Sequence, residues 1–214
     1  MTSDKIRFVD KRSGNEGGEA VGTALKGMPA PLIGAPEEPN TLPVPEHLHR
    51  LWLALGLDEH EITTVRLGAY LHDVGKIRVP HEILNKPGRL TNEEFDVIKM
   101  HPIWGLELLE QVEFPWDIKP IIRWHHEKYD GNGYPDRLRG EEIPVNAMII
   151  GIVDVYDALT TSRSYRGAMP PQVAVAEMDK MRRSWRDDVY QAFCRAVAEP
   201  ETRLHTEALA TRAA

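Results

Sequence analysis

The sequence predicts an all-α protein, and three observations carry that prediction. From Glu46 to about Glu199 one helical pattern of apolar residues follows another, and helix-starting and helix-stopping residues stand between them. No run shows the strict apolar–polar alternation of a half-buried strand. No internal repeat is present either.

The elements follow in order. His47 to Leu57 is a first helix, closed by Gly56 or Asp58, and Glu61 to His72 is a second, with Ile62, Val65, Leu67, Ala69 and Tyr70 as its apolar positions. Thr91-Asn92-Glu93-Glu94 has the spacing of a capping box and opens a helix ending near His101-Pro102. Pro102 cannot continue that helix without a break, so Ile103 to Val112 is a separate segment. Lys119-Pro120 opens the next, through Ile121, Ile122 and Trp124 to His125-His126. Val145 to Thr161 is apolar nearly all round, the mark of a central, buried helix. Pro170-Pro171 starts a helix to about Met181, and Asp187 to Ala198 forms the last.

Three regions are expected: a linker-like or flexible segment over residues 1–45, one domain over 46–200, and a tail over 201–214. Residues 11–45 hold six Gly and six Pro with almost no apolar periodicity, a density of breakers that opposes regular structure. The 214 residues, 42% hydrophobic and 28% charged, fit one globular domain with flanks. A net charge of -7 excludes a broad basic surface for a nucleic acid polymer, though not a small phosphate ligand held by local cations. Cys194 is the single cysteine, so neither a disulfide framework nor a Cys-rich zinc site is available. The N-terminus lacks the apolar core of a signal peptide, and the longest apolar run, Ala147 to Val153, is too short to span a bilayer. The expectation is a cytoplasmic protein without a membrane partner.

Chemistry concentrates in a few pairs. His72-Asp73 sits where a helix runs into the Gly75 turn, and His125-His126 is a second adjacent pair before a Gly-rich turn. His101 ends a third helix. Asp154 lies between Val153 and Val155 in the most apolar helix, where an unpaired buried carboxylate would be costly, and no Lys or Arg stands within one helical turn. Four histidines and two carboxylates at separate helix ends can converge in a bundle, as helical metal sites do. Such mixed nitrogen and oxygen donors suit two divalent transition ions, Fe or Mn, better than Mg or Ca.

These segments resemble the HD-GYP family. LHDVGKIRVPHEILNKPGRLTNEEF, Leu71 to Phe95, is similar to its HDIGK block, and HHEKYDGNGYP, His125 to Pro135, to its HHExxDGxGYP block. IVDVYDALTTSRSYR, Ile152 to Arg166, resembles its third block, with His101 between the first two. The resemblance covers about residues 46–200. It implies a helical bundle of the HD-domain type and metal binding by His72, Asp73, His101, His125, His126 and Asp154, with Asp73 as the bridge between two ions. It implies that Lys76 meets a substrate phosphate and assists catalysis with Asp73. Gly133, Tyr134 and Pro135 would form a substrate-binding turn, and Arg163 and Arg166 would clamp phosphate oxygens. The implied activity is hydrolysis of the bacterial second messenger cyclic di-GMP to pGpG or GMP. Implied partners are cyclic di-GMP, a protein such as a diguanylate cyclase domain, and a second copy in a homodimer.

Departures from the family pattern keep two other readings open: a module that binds the nucleotide or a partner without efficient turnover, and a phosphohydrolase of another cyclic dinucleotide. The family's early-helix Glu and His fall, on a gap-free count, at Pro36 and Asn40, with His47 or His49 as substitutes after rearrangement. The family's Arg in the long buried helix is Met148, and its Gly-x-x-Phe-Asp-Pro near the end is missing between Arg183 and Asp188.

Overall fold

The computed structural model describes residues 7–8, 44–162 and 167–198. Most of the expected N-terminal segment, with Pro36 and Asn40, the expected tail, and Arg163 and Arg166 lie outside these residues.

The described residues form a helical bundle. Its helices are α1 (Glu46–Leu55), α2 (Glu59–Leu71), α3 (His81–Leu84), α4 (Asn92–Ile98), α5 (His101–Leu108), α6 (Lys119–Trp124), α7 (Val145–Thr160), α8 (Pro171–Asp179) and α9 (Asp187–Ala198). Short 3-10 turns stand at Val74–Arg78, Gly140–Glu142 and Arg182–Ser184. The structure also has strands, against expectation: β1 (Arg7–Phe8) pairs antiparallel with β2 (Val112–Glu113), in the register Arg7 to Glu113 and Phe8 to Val112. Two residues a side are too few to leave an alternating pattern in sequence.

Local signals place the helix ends. Asp58 and Glu61 cap the start of α2 reciprocally, and Thr91 and Glu94 do the same for α4. Gly56 closes α1 in the left-handed conformation that favours glycine, at φ 68°. One boundary differs from the expectation. α4 stops at Ile98, and His101 begins α5 rather than ending the helix before it. Pro102 thereby falls in the first turn of α5, where its missing N–H costs nothing.

The main core gathers α1, α2, α7, α8 and α9 around Leu51, Trp52, Ile149, Ile152, Met178 and Phe193, all fully buried. At about 25 cal/mol per Å² of apolar surface, burying such side chains is the principal stabilising contribution to the bundle. A second cluster joins the end of α2 to α5 and α6 through Leu67, Leu71, Val74, Leu109, Ile118 and Ile122. α7 packs on α2, α6, α8 and α9, the central position its composition predicts. None of the described helices is long and apolar enough to cross a membrane.

Candidate metal centre

Three helix ends and one helix flank meet at the centre. His72 is the C-cap of α2, Asp73 follows it, His101 is the first residue of α5, and His125 is the C-cap of α6 with His126 next. Asp154 looks in from the middle of α7. Two glycines let these backbones close up. A Cβ on Gly75 would lie 1.9 Å from the His101 carbonyl oxygen, and one on Gly151 would lie 2.3 Å from that of His125. Only glycine admits such approaches.

The donor atoms form two groups that share Asp73. Asp73, His101, His125 and His126 each offer an atom within 4.8 Å of the others, and so do His72, Asp73 and Asp154. His101 Nε2 lies 3.3 Å and His125 Nε2 3.9 Å from Asp73 Oδ1, while His72 Nε2 lies 3.5 Å from Asp73 Oδ2. Asp154 places Oδ1 3.9 Å from His72 Nε2 and Oδ2 4.0 Å from His126 Nδ1. The structure thus brings together all six residues singled out as ligands. Asp154 is less buried than its apolar neighbours in the sequence suggest. It is half-buried and faces the histidines, so its charge meets polar groups rather than the apolar core around Val153.

Hydrogen bonding sets the tautomers. Nδ1–H of His72 donates to the Ala69 carbonyl at 2.7 Å, that of His101 to Ile98 at 2.8 Å, and that of His125 to Ile122 at 3.0 Å. A carbonyl can only accept, so these Nδ1 atoms carry the protons and each Nε2 keeps a lone pair. His101 Nε2 and His125 Nε2 then face each other at 3.2 Å with no proton between them. His72 Nε2 and Asp73 Oδ1 are buried without a hydrogen-bond partner. Burial pushes His125 and His126 well below the ordinary imidazole value, so both are neutral. Burial opposes the charge on Asp73, but the polar and cationic groups around it, the Lys76 ammonium among them, outweigh burial and hold the carboxyl well below the usual range. Neutral imidazole lone pairs converging on an ionised carboxylate match what a divalent transition ion requires. The residues fit the group.

Lys76 donates to Asp73 Oδ2 and so sits at the edge of the centre. Tyr134 stacks on His126, with ring centroids 4.7 Å apart and planes 28° apart, and its peptide bond to Pro135 is cis. Met148 is buried beside Ile143 and Ala147. His47 on α1 places Nε2 2.9 Å from Asp157 Oδ1, one turn along α7 from Asp154 and outside both donor groups.

Sequence reasoning missed what holds the Gly133-Tyr134-Pro135 turn. Buried Glu127 accepts from the backbone N–H of Asp136 (2.7 Å), Arg137 (2.9 Å) and Leu138 (3.1 Å). The Asp136 carboxylate in turn accepts from Arg123 at 2.7 and 2.9 Å and from the Trp124 indole at 2.7 Å. This clasp fastens the turn to α6 and thereby keeps Tyr134 against His126. The partners are 9 to 13 residues apart, and no local pattern announces them. Lys128 was passed over as well. Its ammonium stands 4.3 Å from the centre of the Trp185 ring without a hydrogen-bond partner, and burial brings its pKa down to about 8.

Known proteins are similar to this chain. A cyclic di-GMP phosphodiesterase response regulator, RpfG, of Xanthomonas campestris pv. campestris is 45% identical over 130 residues, which is 60% of this chain and 34% of that protein. A cyclic di-GMP phosphodiesterase of Thermotoga maritima is 35% identical over 148 residues, 68% of this chain and 40% of its own length. A 3′3′-cGAMP-specific phosphodiesterase of Vibrio cholerae serotype O1 is 41% identical over 122 residues, 56% of this chain and 23% of its own. The chain therefore spans well under half the length of these relatives. The solved structure of Bd1817, a HDG"Y"P protein from Bdellovibrio bacteriovorus, shares the fold with a TM-score of 0.58 at 22% identity, over 72% of this chain and 49% of that one. The HD domain family model matches residues 29–189, a span that holds both donor groups. With its His72-Asp73 and His125-His126 pairs on a helical bundle, the chain belongs to the HD domain family.

Proposed function

We propose that this chain is a metal-dependent hydrolase of cyclic di-GMP, of the HD-GYP type. The observation that carries the reading is the pair of donor groups sharing Asp73, in which three Nε2 lone pairs are aimed inward by backbone carbonyls. The names of the relatives supply the substrate class.

His101, His125 and His126 would hold one divalent transition ion, Fe or Mn, and His72 and Asp154 a second, with Asp73 available to either. When bound, such ions supply Lewis acidity and an activated water for attack on phosphorus. The chain's own residues do the rest. The carbonyl bonds at Nδ1 orient His72, His101 and His125 so that each presents Nε2 to a cation. Lys76 sets a positive charge beside Asp73, where a phosphoryl oxygen would gain negative charge during hydrolysis. Gly133, Tyr134 and Pro135 form one side of the entrance, held there by Glu127 and Asp136. Arg163 and Arg166 are assigned to the phosphates on the strength of the resemblance.

The test is direct. The protein is purified without oxygen, its metals are measured, and cyclic di-GMP is followed by chromatography with Fe or Mn supplied. Conversion to pGpG or GMP that stops on chelation is expected. A metal-loaded protein that leaves cyclic di-GMP intact would refute the reading.

A further inference from the structure

Beside the metal centre lies an open trough of about 710 Å³. One wall comes from the α4–α5 corner, with Phe95, Met100 and Ile103, and the other from the turn after His126, with Tyr134 and Pro135. Tyr134 belongs to both sites, since its ring closes the trough edge-on to Phe95 (centroids 6.4 Å apart) and stacks on His126. Phe95 is 45% exposed and Met100 38%, although both are large and apolar. Exposed apolar walls facing each other across a trough are a seat for a flat aromatic ligand.

The charges are as informative as the walls. In a chain of net charge -7, the trough carries three cations, Lys99, Arg137 and Arg139, and a single carboxylate, Asp96. Among the described residues no ion pair engages Arg137 or Arg139. In the hollow elsewhere lined by Arg182, Arg183 and Arg186, Asp187, Asp188 and Glu141 already engage two of the three guanidinium groups. Lys99 is paired with Asp96 and stands over the Phe95 ring, which leaves the guanidinium groups of Arg137 and Arg139 beside apolar walls, a setting that suits a ligand aromatic and anionic at once, such as a nucleotide.

We propose that this trough seats one guanine nucleotide of the cyclic dinucleotide and that Asp96 selects the base; the inference rests on the reading above of a cyclic-dinucleotide hydrolase. Guanine presents two donors side by side, N1–H and the exocyclic N2–H, and an ionised carboxylate accepts both at once. Adenine presents the lone pair of N1 along the same edge, which a carboxylate repels. Lys99, now held by Asp96, stands within reach of the phosphate side when the base takes its place on that carboxylate. Arg137 and Arg139 add charge along the same rim.

The experiment uses the full chain loaded with Mn(II) and measures binding of cyclic di-GMP and cyclic di-AMP by calorimetry, with Mn content determined in every sample. The wild type is expected to prefer cyclic di-GMP by about tenfold or more. Asp96→Ala should weaken cyclic di-GMP by about tenfold, leave cyclic di-AMP nearly unchanged and so erase the preference. Phe95→Ala should weaken both ligands by a similar factor through lost stacking, with Mn content constant. Wild-type affinities in both variants would overturn the trough and leave the hydrolase reading standing. A wild type that holds Mn but binds neither dinucleotide would overturn both.

Discussion

Asp73 is the residue on which the two donor groups depend, since it is the one member common to both. Asp73→Ala should therefore remove bound metal from both groups, whereas Asp154→Ala should affect the smaller group alone. Elemental analysis after gel filtration checks this, and full metal content in Asp73→Ala would refute the shared site. Asp136 offers a second test at this scale. The Arg123 hydrogen bond holds its carboxyl below the usual carboxylate range. A depressed pKa contributes stability that is fully present above the unfolded value of about 3.9 and is lost as pH falls through the folded one. Asp136→Asn should accordingly be less stable than wild type near neutrality, with the gap closing as pH falls from about 5 towards 2. Urea unfolding across that range measures it, and a gap independent of pH would show that the ion pair contributes nothing.

At the scale of elements, the decisive contact is between α7 and the end of α6. The absent side chain of Gly151 lets α7 lie against the His125 carbonyl, and Asp154 reaches the histidines because α7 lies that close. Gly151→Ala should push the two apart, with a cost of about 1–3 kcal/mol from overpacking and a loss of metal from the Asp154 group. A thermal melt and a metal assay read the two effects, and a wild-type melting temperature would show that α7 can shift freely. The turn after α6 depends on a different device. Glu127 and Asp136 hold it by six hydrogen bonds to backbone and side chains rather than by apolar packing. Tyr134, which the turn carries, is thereby kept where it touches both the metal centre and the trough.

For the whole molecule, the two groups differ in donors. The one at the ends of α5 and α6 has three imidazoles with Asp73, and the one between α2 and α7 has a single imidazole with two carboxylates. More nitrogen donors and deeper burial favour tighter binding of a first-row transition ion. Dialysis against a mild chelator should strip the His72–Asp73–Asp154 ion first, with the second released later and hydrolysis falling with the first loss. Simultaneous release of both ions would contradict the difference between the groups. A third equivalent would require donors beyond these six.

The sequence alone was enough to predict the helical class, the central place of α7 and the six residues that the structure gathers into two donor groups. Helix periodicity and capping residues are local, and the pairs His72-Asp73 and His125-His126 are contiguous in the chain, so both can be seen without coordinates. Local signals erred at the α4–α5 junction, because Pro102 is equally able to end one helix and to stand in the first turn of the next. Only the tertiary structure decided how close Asp73 and Asp154 come to the histidines, that Glu127 and Asp136 clasp the turn, and that Phe95 and Tyr134 wall one trough. Each of these joins residues on different elements, and their separation in space is set by how α2, α5, α6 and α7 pack. That packing follows from the summed burial of many apolar side chains, a property no single motif contains.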